Sequence, residues 1–569
     1  MTHALADSMF LAGKMRRRDG LLILIGASLI YICSSLLYNT TFFPSLVPGS
    51  DEIPPPETWQ KSHRVKPAVL SPPASHQKVE KTEQKPIIDL GISRSVPETS
   101  LVAHAPGWTL YRNLYMSNGT LYIVSSKSHQ AVFPEIRMMT STGLLAENTP
   151  ENIAAREPTD QEMQIITPEA AMKKWGANWE ENERNRIRSI EGFTLLVNEP
   201  WQFLNHYYHF VAELLFGTWA FLYGVFNPNA NFVKPDEAAL WSMNATVPSF
   251  NLPHNGYLPP SLTRIIFMHA TTEGWKDKPG FNSYFLRAAF PSLTVETSSD
   301  WEDRMNATAV QTRQRAWHFP LVLLSDRSAA FRGEACGART QRIAAEAWEV
   351  MVRKRGIDVV GGWWNVLREA VMKYAGVKVP KDDGVPLSSE HNDVADPQIL
   401  LPLPKDIVIT YINRQGVRRH LIQEDHDGLV SALEQLVKRK KIEEGKEWVL
   451  RVVQPELLSK EEQIQLASET TIMLGVHGNG LTHLVFMKPN RYSSVIEIFY
   501  PDGFAHDYEW TARALGMRHF SIWNDTTFTY PNEPPWAAYP EGFQGTSIPV
   551  HGETVAKLIE DRLEGRLQF

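Results

Sequence analysis

Between residues 406 and 523, short apolar runs alternate with amphipathic segments, and few architectures accommodate that rhythm. Asp406–Ile412, Trp448–Val453, Thr471–Val476, Ser494–Phe499 and His519–Trp523 read as buried strands. Asp427–Lys440, Lys460–Ser468 and Ala505–Leu515 read as helices, and Leu481–Met487 as a further segment of helical type. Asp427–Lys440 is acidic at its start and basic at its end, as the helix dipole prefers. The expected product is a parallel doubly wound sheet, which binds ligands beyond the carboxyl ends of its strands. Three clusters fall there: 413–419, 477–483 and 499–502.

The second of these clusters is the most informative. The strand Thr471–Val476 runs into a turn with Gly475, Gly478 and Gly480, and the chain then continues as the apolar segment. A strand, a glycine turn and a helix start leave backbone N–H groups beside a crevice, which suits a phosphate or diphosphate. The same spacing also fits an ordinary strand-to-helix turn with glycines for tight packing. His477 sits in the turn, where an imidazole can donate to a phosphoryl oxygen. Arg414, Arg418 and Arg419 follow a strand directly and are candidate phosphate ligands, or else surface residues of a polar loop. Glu497 interrupts an apolar strand: it either accepts from a sugar or ribose hydroxyl or faces solvent at an edge. Asp425-His-Asp427 matches a metal–nucleotide pattern but lies at a helix start, where acidic residues serve as caps. No metal ligand set is assigned, and no obligatory cofactor is expected.

Upstream, Leu121–Val124, Gly192–Val197, Ala238–Trp241, Arg264–Met268 and Pro320–Leu324 read as short strands. From Asn205, a possible N-cap, a helix with an apolar stripe begins. Asn205, His209 and Glu213 are spaced four apart and share a face. A His beside a carboxylate is a general-base arrangement, with His209 and Glu213 as the catalytic candidates; the pair equally fits a structural contact within a helix. Thr340–Arg355 and Trp363–Tyr374 read as helical, and Lys381–Gln398 as a linker.

The N-terminal end bears on the compartment. Leu21–Tyr38 carries no charge and is long enough to cross or nearly cross a bilayer. Lys14, Arg16, Arg17 and Arg18 precede it, so the positive-inside rule keeps residues 1–20 in the cytosol and the body in the lumen. Residues 39–100 form a Pro-rich stem that buries too little to fold. Two lobes are then expected, 101–400 and 401–569. The sequons at Asn118, Asn244, Asn306 and Asn524 agree with lumenal exposure. A net charge of −7 argues against a nucleic-acid partner. The two cysteines, Cys33 and Cys336, leave no room for a cysteine zinc cluster. This layout fits a Golgi enzyme anchored as a type II membrane protein, and equally a non-catalytic sugar-binding protein.

The run GVHGNGLTHLVFMKP resembles the glycine-histidine segment of family 61 glycosyltransferases, as do the preceding YINRQGVRRHLIQEDH and the upstream NHYYHF. The resemblance covers roughly residues 190–530 and is nearest the fungal β-1,2-xylosyltransferase branch. It implies a GT-B-type architecture of two facing Rossmann-like domains, an inverting mechanism, a UDP-sugar donor and a glycan or glycoprotein acceptor. It sets Arg414, His477, Gly478 and Gly480 on the donor-side motif and His209 on the acceptor-side helix, which makes 101–400 the acceptor-side lobe and 401–569 the nucleotide-sugar-binding lobe; Arg418, Asn479 and Glu497 complete the candidate donor set. The sequence departs from the family pattern at Asn479, usually Ala, and at His483, usually Asn. With xylose as the favoured sugar, N-acetylglucosamine and arabinose remain alternatives.

Overall fold

The computed structural model of the chain describes residues 96–567, apart from 128–131, 148, 177–185, 227–258, 311–313, 331–346, 348–361, 378–397, 399–400 and 446. The anticipated span, the stem up to residue 95, the Ala238–Trp241 strand, the Asn244 sequon, most of the Thr340–Arg355 helix and nearly all of the linker lie outside the described residues.

Two sheets, both rich in parallel strands, make up a mixed α/β body. The first contains β1 (Ser100–Ala105), β2 (Trp108–Ser117), β3 (Thr120–Val124), β4 (Met163–Ile166), β5 (Ile187–Ser189), β6 (Phe193–Val197), β7 (Arg264–Phe267), β8 (Thr294–Glu296) and β9 (Ala316–Ser325). Its main path is β4-β3-β2-β9-β6-β7-β8. Strands β9, β6, β7 and β8 are mutually parallel, while β1 and β3 pair antiparallel with β2, and β2 antiparallel with β9. The second sheet contains β10 (Ile407–Ile412), β11 (Trp448–Val453), β12 (Ile472–Val476), β13 (Ser494–Ile498), β14 (Arg518–Trp523) and β15 (Thr526–Phe528). It runs β11-β10-β12-β13-β14-β15, parallel except at the last pair.

The second sheet starts at β10, turns back to β11 on one side, then crosses to β12 on the other. Its topological switch point therefore lies between the carboxyl ends of β10 and β12, where such sheets open a crevice. The first sheet has the same kind of reversal between β6 and β9. All six residues of β10 and all five of β12 are buried, which explains their continuous apolar sequence.

The turn after β12 is tight because it closes against β10. A Cβ on Gly475 would stand 3.1 Å from the Ile412 carbonyl oxygen, and one on Gly480 2.7 Å from Ile412 Cγ2. The following apolar segment is a 3-10 helix, Asn479–Phe486, rather than an α-helix. The two halves are stitched by hydrogen bonds from large side chains. Trp363 and Trp364 donate to the carbonyls of Ala514 and Val485, and Arg368 to that of Met487. Buried His483 meets Gln463 at 2.8 Å and the Tyr207 hydroxyl at 3.4 Å. Its departure from the family pattern thus serves the junction between the halves. Tyr208–Phe226 is long and apolar enough to cross a membrane, but 83% of its most apolar window is buried within the protein, so it is a core element.

Ile412 is β-branched and fixed in a strand, so it cannot yield to a new methyl group. Gly480→Ala is expected to destabilise the protein by about 1–3 kcal/mol in denaturant unfolding. A loss below about 0.5 kcal/mol would mean that Ile412 gives way.

Candidate active site

The loop after β10 and the turn after β12 come together as the switch point requires. Arg414 and Arg419 are half-buried there, whereas Arg418 is exposed and offers its carbonyl to Arg414 at 3.2 Å. Arg419 adopts a left-handed backbone, φ 58°, and donates to the His477 carbonyl at 3.3 Å. A Cβ on Gly478 would stand 2.3 Å from Arg414 Nη1, so this glycine makes room for the guanidinium. Asn479 is exposed at the rim.

What these two arginines lack is a partner of opposite charge. No described carboxylate lies within ion-pair distance of either, and the Nε of each is buried without a hydrogen-bond partner. Burial first, and for Arg419 also the charge of Arg414, push both guanidiniums below their usual range. Burying positive charge without a counter-ion is costly, and the geometry is that of an anion site.

Behind them stands a relay of rings. His477 Nδ1 lies 2.5 Å from one oxygen of Glu497, and His519 Nε2 lies 2.8 Å from the other. Glu497 is fully buried. Both oxygens are therefore occupied, which corrects the expectation that Glu497 accepts from a ligand hydroxyl or faces solvent. Burial, and then Arg419 and Arg414, hold the His477 imidazole neutral. Phe499, Tyr508 and Phe543 enclose its ring at 5.3–5.7 Å.

The opposing wall comes from the first sheet. Trp201–Leu204 is a short helix, and Asn205 is its C-cap rather than the N-cap of the next. Tyr208–Leu215 is a π-helix that continues as an α-helix to Phe226. Widening the turn brings positions four apart closer to eclipse, and π-helical turns are frequent at functional sites. His209 Nδ1 lies 2.5 Å from Glu213. Glu213 is fully buried and also bound by Arg327, which follows β9. Burial pushes the Glu213 carboxyl up, but Arg327 and His209 outweigh it and hold the group below its usual range. Glu213 is thus ionised and fixes the proton on His209 Nδ1, leaving Nε2 as the basic nitrogen. His209 itself is only part-buried.

The two walls meet: the Tyr208 and Tyr508 rings lie 5.0 Å apart. Burial, His209 and also Arg419 of the other half lower His206 to about 3. The Tyr208 hydroxyl donates to the Asp507 carbonyl at 2.6 Å, tying the π-helix to the second sheet. Of the sequence-derived donor set, Arg414, His477, Gly478 and Gly480 meet at this crevice, Arg418 points out, and Arg419 takes the inner place. Arg327 and Glu199 were not among the candidates. A charged pair of residues directly after a buried strand, Asp326-Arg327, was the available signal. Asp425 accepts from the Val550 amide and Asp427 from Gln423, so these carboxylates serve local structure. Asn118, Asn306 and Asn524 are exposed.

Residues 207–496, just over half of the chain, match the family described as Glycosyltransferase 61. The chain is also similar to the EGF domain-specific O-linked N-acetylglucosamine transferase of Drosophila melanogaster, 29% identical over 141 residues. That alignment spans 25% of this chain and 24% of the fly protein.

Glu199, fully buried beside Arg327, provides a pH test. Burial raises its carboxyl to about 7; Arg327 opposes this, while Glu213 and Asp326 add to it. The folded state therefore holds this proton more tightly than the unfolded state. The resulting stability is complete below the ordinary value of 4.5 and is lost as pH rises through about 7. Relative to wild type, Glu199→Gln is expected to gain stability between pH 5 and pH 8, by up to about 3 kcal/mol, in paired thermal melts. A constant offset would show that Glu199 does not titrate in this range.

Proposed function

Because this chain belongs to glycosyltransferase family 61, we propose that it transfers a sugar from a UDP-sugar donor to a glycan hydroxyl with inversion at the anomeric carbon. The carrying observation is the pair of half-buried arginines without a counter-ion at the β10/β12 switch point. The donor diphosphate supplies the missing charge, held by Arg414, Arg419 and the amide groups of the Gly478–Gly480 turn. Those cations offset the charge that develops on the leaving UDP, so no step is routed through a metal ion. From the facing wall His209 Nε2 takes the acceptor's proton, while Glu213 steadies the imidazolium that forms. The hydroxyl oxygen bonds to the anomeric carbon as the bond to the diphosphate breaks.

This reading makes the two lobes a GT-B-type pair, with residues 21–38 as a type II anchor in the Golgi membrane. The motif resemblance favours xylose, and the name of the fly relative favours N-acetylglucosamine. UDP release measured over a panel of UDP-xylose, UDP-N-acetylglucosamine and UDP-arabinose separates these donors. Absence of release with every UDP-sugar, alone or with glycan acceptors, would favour a sugar-binding protein without turnover.

Two variants probe the chemistry. His209→Ala is expected to lower kcat by about 10²–10⁴-fold while UDP affinity stays unchanged. Arg419→Gln is expected to weaken UDP binding by more than about tenfold, equivalent to 1.4 kcal/mol. It should leave the melting temperature of the ligand-free protein level or higher, since an unpaired charge is removed. A large drop in that temperature would make Arg419 a structural residue and sink the anion site.

A further inference from the structure

One cluster of side chains beside the cleft has the makings of an ion site and takes no part in the steps above. His506 precedes the helix Asp507–Ala514, Glu509 lies in its first turn, and Glu533 comes from the segment beyond β15. One ligand-type atom from each lies within 4.8 Å of the others. His506 Nδ1 is 3.7 Å from a carboxylate oxygen of each glutamate. That is too long for a hydrogen bond, yet close to the roughly 3.4 Å separating ligands around a tetrahedral ion with bonds of about 2.1 Å.

A second observation points to a ligand. Glu509 is 1% exposed, and Arg513 Nε binds its Oε1 at 2.8 Å. Its Oε2, the atom facing His506, is buried without a hydrogen-bond partner, and so is Oε2 of Glu533. Buried carboxylate oxygens left unsatisfied are rare and costly. Two carboxylates and an imidazole share this space with one guanidinium, an excess of negative charge that a dication offsets.

We propose that His506, Glu509 and Glu533 bind a divalent transition-metal ion of the Zn2+ or Mn2+ class. One imidazole and two carboxylates suit such an ion better than Ca2+, which takes six to eight oxygens. Arg513 holds the second oxygen of Glu509 and is itself stacked 4.1 Å over Tyr530, so the ligand is oriented from behind.

The site joins two walls of the cleft. Helix Asp507–Ala514 carries Tyr508 and, through the Asp507 carbonyl, the contact to Tyr208. The segment beyond β15 carries Ala538, paired with Phe504, and Phe543, which covers His477. The ion is therefore a clamp that positions the wall around His477, separate from the arginines that meet the anion.

The test needs neither donor nor acceptor, so its outcome is independent of the proposed reaction. Purified full-length protein is stripped with chelator, desalted and given Zn2+ or Mn2+ alone. One ion per chain should be retained by elemental analysis, with a melting temperature that rises with metal concentration. His506→Gln and Glu533→Gln, checked for folding by circular dichroism, should each weaken affinity by more than the about tenfold that loss of an outer partner costs. If wild type retains neither ion and its melting temperature ignores both, the carboxylates share a proton instead and the proposal fails. It fails equally if both variants bind metal as tightly as wild type.

Discussion

Two guanidinium groups stand half-buried beyond the end of β10 with no described carboxylate within ion-pair distance, and much of the molecule can be understood from that imbalance. A third arginine shows what the fold does when an arginine is structural. Arg327 is fully buried, but it is paired with Glu213 and faced by Glu199 at 3.5 Å. Attraction to these carboxylates outweighs burial and raises its pKa. Arg414 and Arg419 have the opposite setting, and burial lowers theirs. One chain thus contains a cation balanced by two carboxylates and a pair that no described carboxylate reaches within ion-pair distance. The glycines of the β12 turn make this possible. Gly478 gives Arg414 its space, and Gly480 lets the turn lie against Ile412, so the charges are held where two parallel strands diverge.

The same logic recurs in the first sheet. β6 and β9 separate at its switch point, and the residues just past them, Asn198, Glu199, Asp326 and Arg327, form a buried polar network. Asn198 Nδ2 donates to Asp326 at 2.7 Å, and the Ser141 amide donates to Asp326 at 2.6 Å. Next to these hydrogen bonds Arg327 faces Glu199 at 3.5 Å and binds Glu213, and Glu213 binds His209. The His209 ring, presented from a π-helix, is thus held from behind by Glu213, which Arg327 holds in turn.

The second sheet is legible in the sequence because its strands are buried on both faces and its helices are amphipathic, so each element carries its own periodic signal. Trp448–Val453 and Lys460–Ser468 fall where the periodicity sets them. The helix read as Asp427–Lys440 runs from Gln423 to Glu444, since Asp425 and Glu424 are good first-turn residues with no break before them. The first sheet was less legible. Its central strand β2 carries Arg112 and Asn113 in mid-run, and Asn113 takes a left-handed backbone, φ 56°. That interrupts the alternation by which a strand is recognised. β5 and β8 are three residues each, too short to carry a period. The π-helix was illegible for another reason: a spacing of four fits an α-helix nearly as well, and only backbone hydrogen bonds tell them apart. Among the arginines, composition could not decide between Arg418 and Arg419. The left-handed turn at Arg419 decides it, and that conformation is unusual for a residue other than glycine.

His477 is where the two kinds of charge meet. Its neutral state follows from burial and from the nearby arginines, while Glu497 and His519 hold its ring from behind. On the reading proposed above, a diphosphate between Arg414 and Arg419 offsets the arginines' share of that effect, while burial, its larger cause, stays in place and keeps the ring neutral. Glu497, with His477 on one oxygen and His519 on the other, therefore serves to hold the ring in its orientation.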